Sequence, residues 1–168
     1  MTAKPPLTRR QAVATLKRYG IEGRDVYLID IIPLIEMIWA DGKVQEGEIA
    51  VLKDFLQKHV ARINAMAGYP LLDMAQAQRF AASFLKRRPD AALLHALREL
   101  VAPVRLAAAD ERLRENVKES LLAACLDIAA SSVTVYPYGL HERFDTQEKR
   151  CFFEILDEFE NYQPPPGD

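Results

Sequence analysis

Cysteine, histidine and glycine are scarce in this chain: 168 residues hold two, three and seven of them. Each scarcity closes a route. Cys125 and Cys151 fall on predicted helices among apolar neighbours, so two buried free thiols in a reducing cytosol are expected rather than a disulfide framework. The glycines are scattered, and no glycine-rich loop is available to cradle a phosphate. His59, His95 and His141 lack zinc-ligand spacing with one another or with either cysteine, so surface or capping roles are expected of them. Nothing local marks Cys125 or Cys151 with His141 as a nucleophile and its base. Long apolar runs are missing too. Asp30, Pro33 and Glu36 interrupt the best candidate, residues 26–40, so no membrane span is expected. The opening MTAKPPLTRR has no apolar h-region, which points to a cytoplasmic chain without a secretory signal.

What is present is the balance of an ordinary globular protein, 49% hydrophobic and 27% charged. A chain of this length fits one domain, taken here as 1–168 with flexible ends at 1–7 and 163–168. The net charge of −2 hides a split, because residues 1–24 carry +5 and residues 140–168 carry −5. Such a split marks either an interaction surface or two ends that meet or are separately solvated. The basic segment lacks interleaved aromatics, and a pI near 6.0 argues against nucleic acid as partner.

Helical periodicity runs through the chain. Thr8 and Gln11 form a capping-box pattern, and the helix they open stops at Gly20. A second helix is expected from near Asp25 to Ala40, with a kink or restart at Pro33 and Gly42 supplying the left-handed turn that ends it. A third, from about Glu46 to Ala67, carries Ile49, Leu52, Phe55, Leu56, Val60 and Ile63 as an apolar stripe and stops at Gly68. Asp73 and Asp90 cap the next two; Lys86-Arg87-Arg88 is expected in the last turn of the first, against the negative end of its dipole, and Pro103 is expected to bend the second. A helix from near Asp110 to Ser131, with Leu113, Val117, Leu121, Ala124 and Ile128 in register, and another from Gln147 to about Tyr162 complete the count. Val133-Thr134-Val135-Tyr136 is expected in a loop rather than a sheet. The fold class is therefore all-α, a single-domain bundle of about seven helices.

Residues 36–48, EMIWADGKVQEGE, concentrate the polar signal. A helix ending in Asp41-Gly42 and another opening with Glu48 near its tip bring carboxylates to one corner, and Asp145-Thr146-Gln147-Glu148 echoes the pattern at the last helix. The corner is not a calcium helix-loop-helix, because aligning Asp41, Gly42 and Glu48 with that loop puts Met37 and Trp39 at two ligand positions. Two roles remain for the acids, as helix caps or as ligands for a divalent cation; Gln45 or Val44 is placed to be the N-cap residue that Glu48 folds back on. Asp127, on the helix before the second loop, is expected to be partly buried and to need a cation or an arginine beside it. The loop 132–144 brings Tyr136, Tyr138 and His141 together, as a contact surface or by ordinary packing.

The stretch Ile38-Trp39-Ala40-Asp41-Gly42-Lys43-Val44, followed by Glu48 and an apolar helix, resembles the signature of the TerB-like family, whose members include proteins linked to tellurite resistance. The likeness is best over 28–60 and recurs more weakly over 117–160, where Leu126, Ile128, Ala129, Phe144 and Glu148 match the second half of the family's internal repeat. It implies an all-helical fold from two related units, and a part in metal binding or in stress-linked complexes near the membrane. Asp41 and Glu48 match the acids of the first unit and Glu148 that of the second, while Ser131 stands where the second aspartate would be. The expectation is a non-enzymatic module using Asp41, Glu48, Glu148 and Asp127 to hold Ca²⁺ or Mg²⁺. The other is a protein-interaction domain in which these acids are caps only.

Overall fold

The computed structural model describes residues 7–106, 111–131, 134–135, 141–142 and 146–163. Its architecture is an all-helical bundle. In chain order come α1 (Arg9–Arg18), a 3-10 helix (Gly23–Ile31), α2 (Ile32–Trp39), α3 (Glu46–Ala67), α4 (Met74–Leu85), α5 (Ala91–Arg98), α6 (Val101–Arg105), α7 (Glu111–Ser131) and α8 (Thr146–Asn161). The segment Pro164–Asp168 and most of residues 1–7 lie outside the described residues.

The apolar run that Asp30, Pro33 and Glu36 interrupt supplies the hub of the bundle. Ile32, Leu34, Ile35, Met37 and Ile38 are all without exposed surface, as a helix that is apolar on every side must be when it lies in a core. The 3-10 helix, α3, α5, α7 and α8 all pack around α2. Each Ile or Leu so enclosed contributes about 1.5–3 kcal/mol relative to leaving it in water. No described helix is long and apolar enough to cross a membrane.

Both prolines act where steric reasoning puts them. Pro33 stands in the first turn of α2, and the chain upstream winds as a 3-10 helix, so the expected restart is present. Pro103 breaks its helix rather than bending it. A proline ring clashes with the carbonyl four residues earlier, here Glu99, and α5 ends at Arg98 with α6 restarting at Val101.

The capping residues behave as expected. Gln11 N donates to Thr8 Oγ1 at 3.1 Å and Thr8 N donates to Gln11 Oε1 at 3.0 Å. Asp73 and Asp90 accept from Ala75 N and Ala92 N at 3.1 and 2.8 Å. Three expectations fail. α4 ends at Leu85 with Lys86 as its C-cap, so Arg87 and Arg88 lie beyond the helix and not in its last turn. Leu113 is exposed, because the apolar stripe of α7 becomes buried only from Leu121 onward. Thr134–Val135 is not loop: it pairs antiparallel with His141–Glu142, Thr134 opposite Glu142 and Val135 opposite His141. Tyr136 and Tyr138 lie outside the described residues.

Candidate functional site

The turn between α2 and α3 is built by three local devices. Gly42 takes φ +81°, a left-handed conformation that side chains resist, and its N–H donates to Trp39 O at 2.8 Å. Asp41 Oδ1 accepts from Lys43 N at 3.0 Å, closing an Asx turn. Glu48 Oε1 accepts from Gln45 N at 2.9 Å, so Gln45 is the N-cap residue of α3 and Glu48 supplies the returning arm of a capping box. The acids at both ends of the turn are therefore engaged by backbone N–H groups.

A cation stands close to this corner. A Cβ placed on Gly42 would lie 3.4 Å from Arg88 Nη1, so the segment after α4 lies directly against the turn. Trp39 Nε1 donates to Phe84 O at 2.9 Å and ties the same two regions together. On the other side the first turn of α3 meets the end of α7: a Cβ on Gly47 would stand 3.0 Å from Ser131 O. That close approach is the packing reason for glycine one residue before Glu48.

Glu48 and Glu148 share a placement. Both lie in the first turn of a helix, α3 and α8, and they are 0% and 1% exposed. Asp145, the expected partner of Glu148 in the echo, lies outside the described residues. Asp127 is exposed, contrary to expectation. On α7 the residues Ala124, Cys125, Ile128 and Ala129 face inward, and the helical step turns Leu126 and Asp127 to solvent. Among the described residues no group of three or more His, Cys, Asp or Glu side chains converges as a cation cage would.

Two buried charge assemblies escaped sequence reasoning. Asp30, at 2% exposure, takes Arg105 Nε at 2.7 Å on Oδ1 and 2.9 Å on Oδ2. Beside it lies His59, buried rather than on the surface, with Nε2 donating to Tyr27 O at 2.6 Å and its ring stacked on Phe55. Asp30 thus serves a different part of the bundle from Asp41, in keeping with the spacing that separates them.

The second assembly centres on Arg98, which joins α2, α5 and α8. Its Nη1 donates to Glu36 Oε2 at 2.9 Å, its Nε to Glu158 Oε2 at 2.8 Å, and Glu154 Oε2 stands 3.5 Å from Nη1. Nη2 donates to His95 Nδ1 at 2.6 Å, and His95 Nε2 lies 3.1 Å from Glu99 Oε1. Three carboxylates share one guanidinium. Burial pushes Glu36 up to about 8, with Glu158 and Glu154 adding to the rise and Arg98 opposing it. Burial likewise raises Glu158. The sequence signal for this hub was an acid, Glu36, on an otherwise apolar helix; nothing in sequence spacing joins it to residue 98.

The cysteines are free, Cys125 buried on α7 and Cys151 half-buried on α8. Burial pushes Cys151 up to about 12, helped by the nearby Glu36, and Cys125 well above the ordinary thiol range. Both thiols stay protonated near neutrality, which removes the thiolate that nucleophilic or redox chemistry needs.

An apolar groove on another face, between α3 and α7, encloses about 630 Å³. Met66, Leu113 and Val117 line it, with Arg62 and Arg105 beside them. The fold thus defines the protein as an all-helical bundle with no described helix able to span a membrane. Comparison with family models, with curated proteins and with solved structures gives no match.

Proposed function

We propose that the chain is a non-enzymatic helical module of the TerB-like kind, which works by holding a protein partner and uses its acidic corner as framework. The observation that supports this is the engagement of Asp41 and Glu48 with backbone N–H groups at 3.0 and 2.9 Å. Each carboxylate has a structural task, and together they fix a turn that presents Lys43 to solvent beside Arg88. Photo-crosslinking groups placed at Ser83, beside the segment after α4, and at Met66, in the α3–α7 groove, test the partner. Cross-linked protein at one of the two faces is expected in the cells that make this chain; none at either sinks the reading. The TerB-like likeness adds a link to tellurite or stress resistance, checked by growth under tellurite with and without the chain.

A second reading keeps the divalent cation. It is favoured by the matched burial of Glu48 and Glu148 in the first turns of two helices that the sequence likens to each other. Hard oxygen ligands of this type favour Ca²⁺ or Mg²⁺. The isosteric variants Glu48→Gln and Glu148→Gln separate the two readings, because glutamine keeps an acceptor oxygen for capping and loses the charge. Under the cap reading, chelator-treated protein melts at the same temperature with or without either ion. An ion-dependent rise in melting temperature that both variants abolish establishes the cation instead.

A further inference from the structure

We propose that the face formed by the 41–43 turn, the segment after α4 and the start of α5 is the docking surface for an acidic protein segment with an apolar anchor. This rests on the partner-holding reading and names the surface and the chemistry of what it holds.

Four cations meet there. Lys43 belongs to the Asx turn, and Lys86, Arg87 and Arg88 follow α4, with Arg88 against Gly42. All four are exposed, and none forms an ion pair among the described residues. Three neighbouring acids are hydrogen-bonded locally, while Glu46, in the first turn of α3, is exposed. Asp41 accepts from Lys43 N, Asp90 caps α5 through Ala92 N, and Asp25 accepts from Gln76 Nε2 at 2.8 Å. Lys86 is the C-cap of α4, and Arg87 and Arg88 follow it past the helix end.

The cations border a slot. Lys86, Arg87 and Arg88 line a cavity of about 480 Å³ together with Phe84 and Leu93. Phe84, Leu93 and Ser83 also line an adjoining cavity of about 630 Å³, which continues past Phe80 and Leu97 to the exposed Tyr19. A basic rim therefore runs into a concave, aromatic-walled trough. The Trp39–Phe84 hydrogen bond ties the end of α2 to the end of α4, beside both parts.

Charge complementarity selects a negative partner, and the concave apolar wall selects one with a side chain to insert. A bilayer surface takes up protruding apolar groups rather than filling a trough. A nucleic acid is disfavoured by the chain's net charge of −2. An acidic peptide carrying a Phe or Leu satisfies both halves of the surface.

The test is fluorescence anisotropy of a labelled, glutamate-rich synthetic peptide containing two phenylalanines, with full-length protein. Saturable binding that weakens with salt is expected. It should fall by about tenfold or more in Arg87→Glu/Arg88→Glu, and again in Ser83→Trp, which fills the slot from an exposed position. A peptide with glutamine in place of glutamate should bind as weakly as the charge-reversed protein. Circular dichroism confirms that each variant is folded. No binding by the wild-type chain overturns the inference, as does binding indifferent to the charge reversal. Equal or tighter binding to phosphatidylserine vesicles or to single-stranded RNA overturns it in favour of those partners. Cross-linking at Met66 but not at Ser83 removes this surface and leaves the partner-holding reading standing; cross-linking at neither removes both.

Discussion

Replacing Glu36 by glutamine should make the protein more stable at alkaline pH and leave it nearly unchanged in mild acid. Glu36 sits on the central helix with one oxygen on Arg98 and the other, Oε1, without a hydrogen-bond partner among the described residues. The groups facing it are Arg98 from α5, with His95 behind, Glu154, Glu158 and Cys151 from α8, and Cys125 from α7. Burial disfavours the Glu36 charge, and one guanidinium shared by three carboxylates does not compensate, so the folded state retains a proton on Glu36 up to about pH 8, against 4.5 ordinarily. Between those values the unfolded chain has released the proton and the folded chain has kept it. Unfolding then releases a proton, so the stability of the native protein falls as pH rises from about 4.5 to about 8 and levels off above. At 1.36 kcal/mol per pH unit the full interval amounts to roughly 5 kcal/mol, taken as an upper bound because water and side chains rearrange around a new charge. Glu158, raised in the same direction, adds to the slope. Urea unfolding followed by circular dichroism across this range should show Glu36→Gln within about 1 kcal/mol of wild type near pH 5 and increasingly ahead of it toward pH 8. The opposite result refutes the reasoning. A variant weaker by roughly 3–5 kcal/mol at pH 8 would mean that Glu36 is ionised and forms a favourable buried pair with Arg98.

Two further outcomes follow from close contacts at the corner. Gly47→Ala should lower stability by about 1–3 kcal/mol despite alanine's better helix propensity, since its Cβ would meet the Ser131 backbone oxygen at 3.0 Å; an unchanged or raised melting temperature would show that the end of α7 yields. Trp39→Phe removes the Nε1–Phe84 O hydrogen bond and should cost about 1–2 kcal/mol, with faster amide exchange in residues 84–88 measured by mass spectrometry; unaltered exchange there would deny that Trp39 anchors the segment.

The helices were legible because their signals are local. Thr8, Asp73 and Asp90 cap where the pattern places them, Gly42 and Gly68 adopt left-handed turns, and Pro33 restarts a helix. Where the expectation slipped, a less local effect decided. The break before Pro103 reflects a clash four residues upstream, and Leu113 keeps helical register while standing exposed on the first half of α7. Asp127 follows the same logic: its neighbours in sequence are buried, but neighbours in a helix point elsewhere. The buried charge assemblies were not legible at all. Arg98 and Arg105 reach acids 62 and 75 residues away, and no spacing rule connects positions that only the packing of α2 against α5 and α6 against the 3-10 helix brings together.

Most of the acids that drew attention in the sequence have a structural task, with the exposed Asp127 the exception. Asp30 is paired with Arg105, and Glu36 and Glu158 share Arg98. Asp41, Glu48, Asp73 and Asp90 hold backbone N–H groups. Each such acid offsets the cost of burying a polar group or of starting or closing a turn of helix. The cations at 43 and 86–88 have no such task, and they lie where two turns are pressed together beside an aromatic slot. A chain with a net charge of −2 thus sets four exposed cations beside its most conspicuous sequence motif. The aspartate of that motif shapes the turn, and the charge left for recognition there belongs to its neighbours.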